Sequence, residues 1–147
     1  YVFQDYALVP ELSARENIMT PLLMQGMVHS LAKKIAQESL FKVGLESRAN
    51  HLPSQLSGGE QQRISIARAV SHKPKILFAD EPTANLDNET SLAVLEVFKN
   101  LHREGQTIVM VTHEKEYTRA TDRVITIFDG VILSDEKPKN GTEGKEK

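Results

Sequence analysis

Apolar residues recur along the chain in two rhythms, and the alternation between them outlines a fold. From Ser30 to Val43 the placing of Leu31, Ile35, Ala36, Leu40 and Val43, with Ser39 and Lys42 on adjoining faces, predicts an amphipathic helix. Gly44 then stands where a glycine ends a helix. Ile64, Ile66, Ala67 and Val70 give a second helix its apolar face, with Gln62, Arg63 and Arg68 decorating the other sides. A third helix runs from Asn88 to Glu104 on Leu92, Leu95, Val97, Phe98 and Leu101. The other rhythm is continuous: Ile76-Leu77-Phe78-Ala79 and Thr107-Ile108-Val109-Met110-Val111 read as short, buried parallel strands. Tyr1-Val2-Phe3 reads as a strand end, and Val124 to Phe128 as a third strand that turns at Asp129-Gly130 onto Val131-Ile132-Leu133. Ser13 with Glu16 forms a capping box that opens a short helix over Ala14 to Ile18, and another short helix is expected over Tyr117 to Thr121.

Strands alternating with helices, with acids and a histidine where the strands end, describe an α/β sheet that carries its site at those ends. The helical stretch before Ile76 falls outside this alternation and reads as a subdomain. Leu22, Leu23, Met24 and Met27 face either that subdomain's core or a partner. From Asp135 onward the residues are charged or small and polar, which predicts a disordered tail.

Composition narrows the function. The formal charge of -2 gives no basic footprint for nucleic acid. The absence of cysteine removes disulfides, thiolate metal sites and a cysteine nucleophile. No apolar run approaches the ~20 residues that span a bilayer, and a cytosolic setting fits.

Three places carry candidate chemistry. Leu56-Ser57-Gly58-Gly59-Glu60 is a glycine pair inside a second capping box, at the start of the helix bearing Ile64. Its first backbone N–H groups and the helix dipole favour an anion, although S-G-G-E by itself reads first as an ordinary capped helix after a turn. Asp80-Glu81 places two carboxylates at the mouth of a sheet, where one can hold Mg²⁺ and the other polarise a water. A D-E pair after an apolar run is nevertheless commonplace. His113, at the end of the next strand, is by itself an ordinary surface histidine, and Gln4 after the first strand is by itself uninformative.

The longer strings are specific. Leu56 to Ala69 (L-S-G-G-E-Q-Q-R-I-S-I-A-R-A) resembles the signature motif of ABC ATPases, and Asp80-Glu81-Pro82-Thr83-Ala84-Asn85-Leu86-Asp87 resembles their Walker B segment and D-loop. With Gln4 as Q-loop glutamine and His113 as switch histidine, the motifs stand in the family's order through about Ser134. The resemblance implies an α/β, P-loop NTPase (RecA-like) core with parallel strands, joined to a helical signature subdomain. It implies roles as well: Asp80 on Mg²⁺, Glu81 as general base, and His113 on the γ-phosphate. Gln4 reaches metal or water, Ser57, Gly58, Gly59 and Glu60 face ATP held by a second ATPase subunit, and Asp87 acts across that interface. The wording of Leu8 to Ile18 and of Glu81 to Asp87 is most similar to the subgroup of lipoprotein release, macrolide export and antimicrobial-peptide export. That subgroup more often has glycine where Ala84 stands.

The implied protein is the ATP-binding subunit of an ABC transporter, a homodimer coupling MgATP hydrolysis to transport. It sits peripherally on the inner face of the cell membrane against a transmembrane subunit that Met19, Leu22, Leu23, Met24 and Met27 would dock. Residues 1–70 form the Q-loop and signature part, 71–134 the remaining ATPase core, and 135–147 the tail. The phosphate cradle G-x-x-x-x-G-K-[ST] is not in these residues: the one Gly-Lys pair, Gly144-Lys145, is followed by Glu146. This leads to the expectation of a chain that starts at the Q-loop without its Walker A portion, is inactive alone, and covers exposed apolar surface by self-association. The competing readings are a non-catalytic interaction module and an ABC ATPase without transport. The latter's usual coiled-coil or zinc insertions have no counterpart in these residues.

Overall fold

The computed structural model describes residues 1–114, 117–118 and 121–138. Two compact units form, one over Tyr1–Val111 and one from Thr112 onward.

In the first unit, helices α1 (Ala14–Met24), α2 (His29–Lys42) and α3 (Gly58–Val70) pack on one another. Single 3₁₀ turns at Glu46–Arg48 and Pro53–Gln55 link α2 to α3. Strand β1 (Ile76–Asp80), helix α4 (Asn88–Arg103) and strand β2 (Thr107–Val111) follow. β1 and β2 pair in parallel, Ile76 opposite Thr107 through Asp80 opposite Val111. Val2 adds a parallel bridge on the other edge of β1, with its N–H 2.8 Å from the Phe78 carbonyl and its own carbonyl accepting from the Asp80 N–H. The expected first strand end is therefore present.

The core is continuous from helices to sheet: Val2, Ile18, Leu22, Leu40, Ile64, Ile66, Leu77 and Val94 are fully buried in one cluster. α3 lies at its centre and differs from the expected one-faced helix. Gln62, Ile64, Ser65, Ile66, Ala67 and Ala69 are all buried, because α1, α2 and α4 pack around it. α1 outruns the short helix expected, reaching Met24 through Pro21. Proline there forfeits the bond to the Asn17 carbonyl, yet Ile18, Met19 and Leu22 bury the flank that holds the helix. Asn17 itself is buried; its side-chain oxygen accepts from the Val9 N–H and its amide donates to Val9, Leu12 and Ser13, pinning the turn before the helix.

The parallel strands are buried on one face, not on both as expected. Leu77 and Ala79 point into the core, whereas Phe78 is 47% and Val111 60% exposed, since no described element packs over that side.

The second unit contains an antiparallel hairpin, β3 (Val124–Phe128) and β4 (Val131–Glu136). Asp129 and Gly130 both take positive φ, as a two-residue turn matching strand twist requires. β4 runs three residues beyond the expected Leu133. The Asp135 carboxylate accepts two bonds from the Arg123 guanidinium, at 2.8 and 2.6 Å, and this ties down what the sequence read as the start of a tail. Residues 139–147, with the Gly144-Lys145 pair, and residues 119–120 of the expected Tyr117 to Thr121 helix lie outside the described residues.

Candidate nucleotide site

The glycine pair opens α3 as the sequence suggested. Ser57 is the N-cap: its hydroxyl accepts from the Glu60 N–H at 3.3 Å, and the Glu60 carboxylate accepts from the Ser57 N–H at 2.9 Å. The other Glu60 oxygen accepts from Arg48 at 2.9 Å. The bond from the Ser57 backbone, then those from Arg48 and the Ser57 side chain, hold the Glu60 carboxyl below its usual range, against partial burial. Glu60 thus has both oxygens committed within the chain.

Gly58 and Gly59 are the first two helical residues, whose N–H groups have no acceptor inside a helix. Among the described residues no other acceptor meets them. Both positions exclude a side chain. A Cβ on Gly58 would lie 2.8 Å from the Tyr6 hydroxyl and 3.2 Å from Leu86, and one on Gly59 would lie 2.1 Å from the Thr90 methyl. The helix mouth opens into a cleft of about 190 Å³ lined by Ser57, Gly59, Glu60, Arg63, Glu89 and Thr90.

Asp80 ends β1 as an exposed residue and accepts from the Tyr1 hydroxyl at 3.1 Å. Glu81 leaves the strand with φ +42, a left-handed conformation that costs a residue with a Cβ about 1–3 kcal/mol. Its N–H donates to the Val111 carbonyl at 2.9 Å, fixing the turn across the ends of both strands. Strain held in place by the sheet aims the Glu81 side chain differently from a continuing strand. Asp87 caps α4, accepting from the Thr90 N–H at 2.9 Å and the Thr90 hydroxyl at 2.7 Å, and these bonds lower its pKa.

Gln4 is exposed just past the Val2 bridge, and its carbonyl accepts from the Asn85 side chain at 3.3 Å. The following Tyr6 and Ala7 both have positive φ, and Arg68 of α3 donates to their carbonyls at 2.9 and 2.5 Å. The first unit therefore brings together Gln4, the Asp80–Asp87 segment and the mouth of α3. His113 belongs to the second unit, where its ring nitrogen lies 3.5 Å from the Glu114 carboxylate.

Several residues that build this arrangement carry little local signal in the sequence: Arg68 and Gln62 read as polar decoration of α3, and Thr90 and Tyr6 belong to no motif. A signal existed for Gln62: with Ile66 and Ala69 it forms an i, i+4, i+7 row on a buried face.

Of the apolar residues after α1's start, Met19 and Leu22 are core. Met24 is 83% exposed, and Leu23 and Val28 are exposed beside it in sequence.

The helix mouth with its two unmet amides is joined through one core to a parallel sheet whose first strand runs into Asp80 and Glu81, and the fold is the α/β one of the P-loop NTPase class. The fold matches that of the ATP-binding cassette MJ0796, solved as a dimer in a post-hydrolysis state bound to ADP and Pi. The TM-score is 0.79 at 40% identity, over 94% of this chain and 62% of that one. The family model described as ABC transporter matches residues 1–84, and the chain belongs to that family. It is 50% identical over 137 residues to the macrolide export ATP-binding/permease protein MacB of Chlorobium luteolum, covering 93% of this chain and 20% of the relative. It is 47% identical over 133 residues to the lipoprotein-releasing system ATP-binding protein LolD of Syntrophotalea carbinolica, covering 90% of this chain and 59% of that protein. The chain thus spans about three fifths of one such relative and a fifth of the other.

Proposed function

We propose that the chain is the signature-bearing part of an ATP-binding subunit that couples MgATP hydrolysis to transport across a membrane. The observation that carries this is the unmet amide pair of Gly58 and Gly59 at a capped helix mouth. Two N–H donors at the positive end of a helix dipole suit a phosphate group. In this reading Ser57, Gly58 and Gly59 close on the γ-phosphate of ATP held by a second copy, and Asp87 acts near that interface. Glu60, both of whose oxygens are engaged, serves by holding the helix mouth.

The same chain's own nucleotide is served by its strand ends. Glu81 takes a proton from the attacking water, and Gln4 orients that water. His113 donates a hydrogen bond to the γ-phosphate from one ring nitrogen. Mg²⁺ fits beside Asp80, a single exposed carboxylate of the kind this ion shares with substrate phosphates; when bound, it neutralises phosphate charge. Residues 1–70 act as the Q-loop and signature part, and 71–134 as the remaining core.

No described helix is long and apolar enough to cross a membrane. The subunit would work from the cytoplasmic face of the cell membrane against a transmembrane subunit. Met24, Leu23 and Val28 are the exposed apolar residues suited to that contact, while Met19 and Leu22 are occupied in the core.

The test is ATP turnover by the natural full-length protein, with and without Glu81→Gln. Loss of a general base lowers turnover by about 100-fold or more, with nucleotide binding retained. A wild-type protein that neither binds nor hydrolyses MgATP would overturn the reading.

A further inference from the structure

We infer that Gln62 is a positioning residue for hydrolysis, tying the signature helix to the two strand ends that carry Gln4 and Glu81. The inference rests on the ATPase reading above and assigns it a residue outside the motif positions that meet nucleotide.

Gln62 lies one turn into α3 and has no exposed surface. Its amide nitrogen donates to the Pro82 carbonyl at 2.6 Å and to the Phe3 carbonyl at 3.3 Å. A primary amide has two N–H groups, and here each is spent on a different strand end. Phe3 immediately precedes Gln4, and Pro82 immediately follows Glu81. Among the described residues the side-chain oxygen has no partner, and the amide is held there by its donors. Turning it over would set its oxygen against two carbonyl oxygens.

The chemistry allows few substitutes. Asparagine is a methylene shorter, glutamate when ionised offers no donor, and methionine fills the space without donating. A buried glutamine on a helix otherwise lined there by Ile66 and Ala69 costs desolvation, which is offset only by bonds that fix something. What they fix is the spacing between the backbone ahead of the water-orienting glutamine and the backbone behind the general base. Asn85 makes a second, exposed tie, donating to the Gln4 carbonyl at 3.3 Å. Movement of α3, whose mouth would meet the partner's nucleotide, is thereby passed to Gln4 and Glu81 of its own chain.

The experiment measures kcat and KM for ATP, together with thermal melting, in the full-length protein carrying Gln62→Met, Asn85→Ala or Glu81→Gln. A residue that positions the base without touching nucleotide lowers kcat and leaves KM in place. The expected result for Gln62→Met is a kcat lower by about tenfold with KM close to wild type, measured below a melting temperature that falls by a few degrees because the Phe3 and Pro82 carbonyls lose their donor. Asn85→Ala, at an exposed loop position, should lower kcat by roughly two- to threefold without affecting folding. If wild type turns over and Glu81→Gln does not, an unchanged kcat in Gln62→Met overturns the inference and leaves the ATPase reading standing. A rise in KM alone overturns it too. Should Gln62→Met fail to fold, Gln62→Asn, a methylene too short to hold both carbonyls, takes its place, and an unchanged kcat there overturns the inference. A wild type without turnover removes the ATPase reading, and this inference with it.

Discussion

Ser13-Ala14-Arg15-Glu16 and Ser57-Gly58-Gly59-Glu60 are closed by the same reciprocal pair of bonds, yet the two helix mouths have different fates. In α1 the Glu16 carboxylate accepts from the Ser13 N–H at 2.8 Å and the Ser13 hydroxyl accepts from the Glu16 N–H at 3.3 Å. In α3 the corresponding distances are 2.9 and 3.3 Å. What separates them is the pair between. The Ala14 N–H donates to the His51 carbonyl at 2.8 Å and the Arg15 N–H to the Ala49 carbonyl at 3.0 Å, so the first turn of α1 is satisfied by its own chain. The N–H groups of Gly58 and Gly59 meet no acceptor among the described residues. The same cap therefore builds a structural joint in one place and a donor pair awaiting a ligand in the other. A capping box alone says nothing about binding; the neighbouring carbonyls decide.

The largest test of this difference is steric. Gly59→Ala places a methyl against Thr90, and overpacking of this kind costs about 1–3 kcal/mol. Thr90→Ser removes the obstructing methyl and keeps the hydroxyl that Asp87 accepts from, so the double variant should recover most of the lost stability in a thermal melt. No recovery would mean that the glycine is needed for some reason other than that contact.

A smaller effect compares the caps directly. Ser13→Ala and Ser57→Ala each remove one capping oxygen and should each cost about 1 kcal/mol of stability. Only Ser57→Ala should also weaken ATP turnover, because only that mouth is proposed to meet nucleotide. Equal effects of the two on turnover would place both helices in the same structural role.

The smallest concerns pH. The Ser13 side chain and backbone hold the Glu16 carboxyl below its ordinary value of 4.5, and the Ser57 backbone does the same chiefly for Glu60. The folded pKa is depressed in both, so the unfolded chain binds more protons and stability rises with pH. That contribution is complete above about 4.5 and fades as pH falls through the lowered values. Glutamine serves at the same cap position without titrating, so Glu16→Gln and Glu60→Gln should each make denaturant midpoints slightly less pH-dependent between pH 5 and 3. An unchanged pH dependence in either variant would show that its cap does not carry it.

Much of this was legible in the order of residues. α2 and α4 came from apolar spacing, β1 and β2 from continuous apolar runs, and the α3 cap from the types at positions 57 and 60. These features depend on local geometry: helix period, hydrogen-bond reach over three residues, and the φ that glycine permits. Even the turn at Asp129-Gly130 follows from its two residues. The motif order likewise pointed to the family without a coordinate.

Tertiary structure decided everything that needs a neighbour distant in sequence. Gln62 resembles any polar helix residue until the carbonyls of Phe3 and Pro82, 59 and 20 residues away, come within its reach. Arg68 finds its carbonyls at Tyr6 and Ala7 for the same reason, and Pro21 survives inside α1 because Ile18, Met19 and Leu22 are buried around it. The one-sided burial of β1 and the left-handed turn at Glu81 depend on which elements lie against the strand and on the Val111 carbonyl that receives the Glu81 N–H. Local types set the periods and caps, and long-range contacts settled which polar groups are satisfied and which donors remain open.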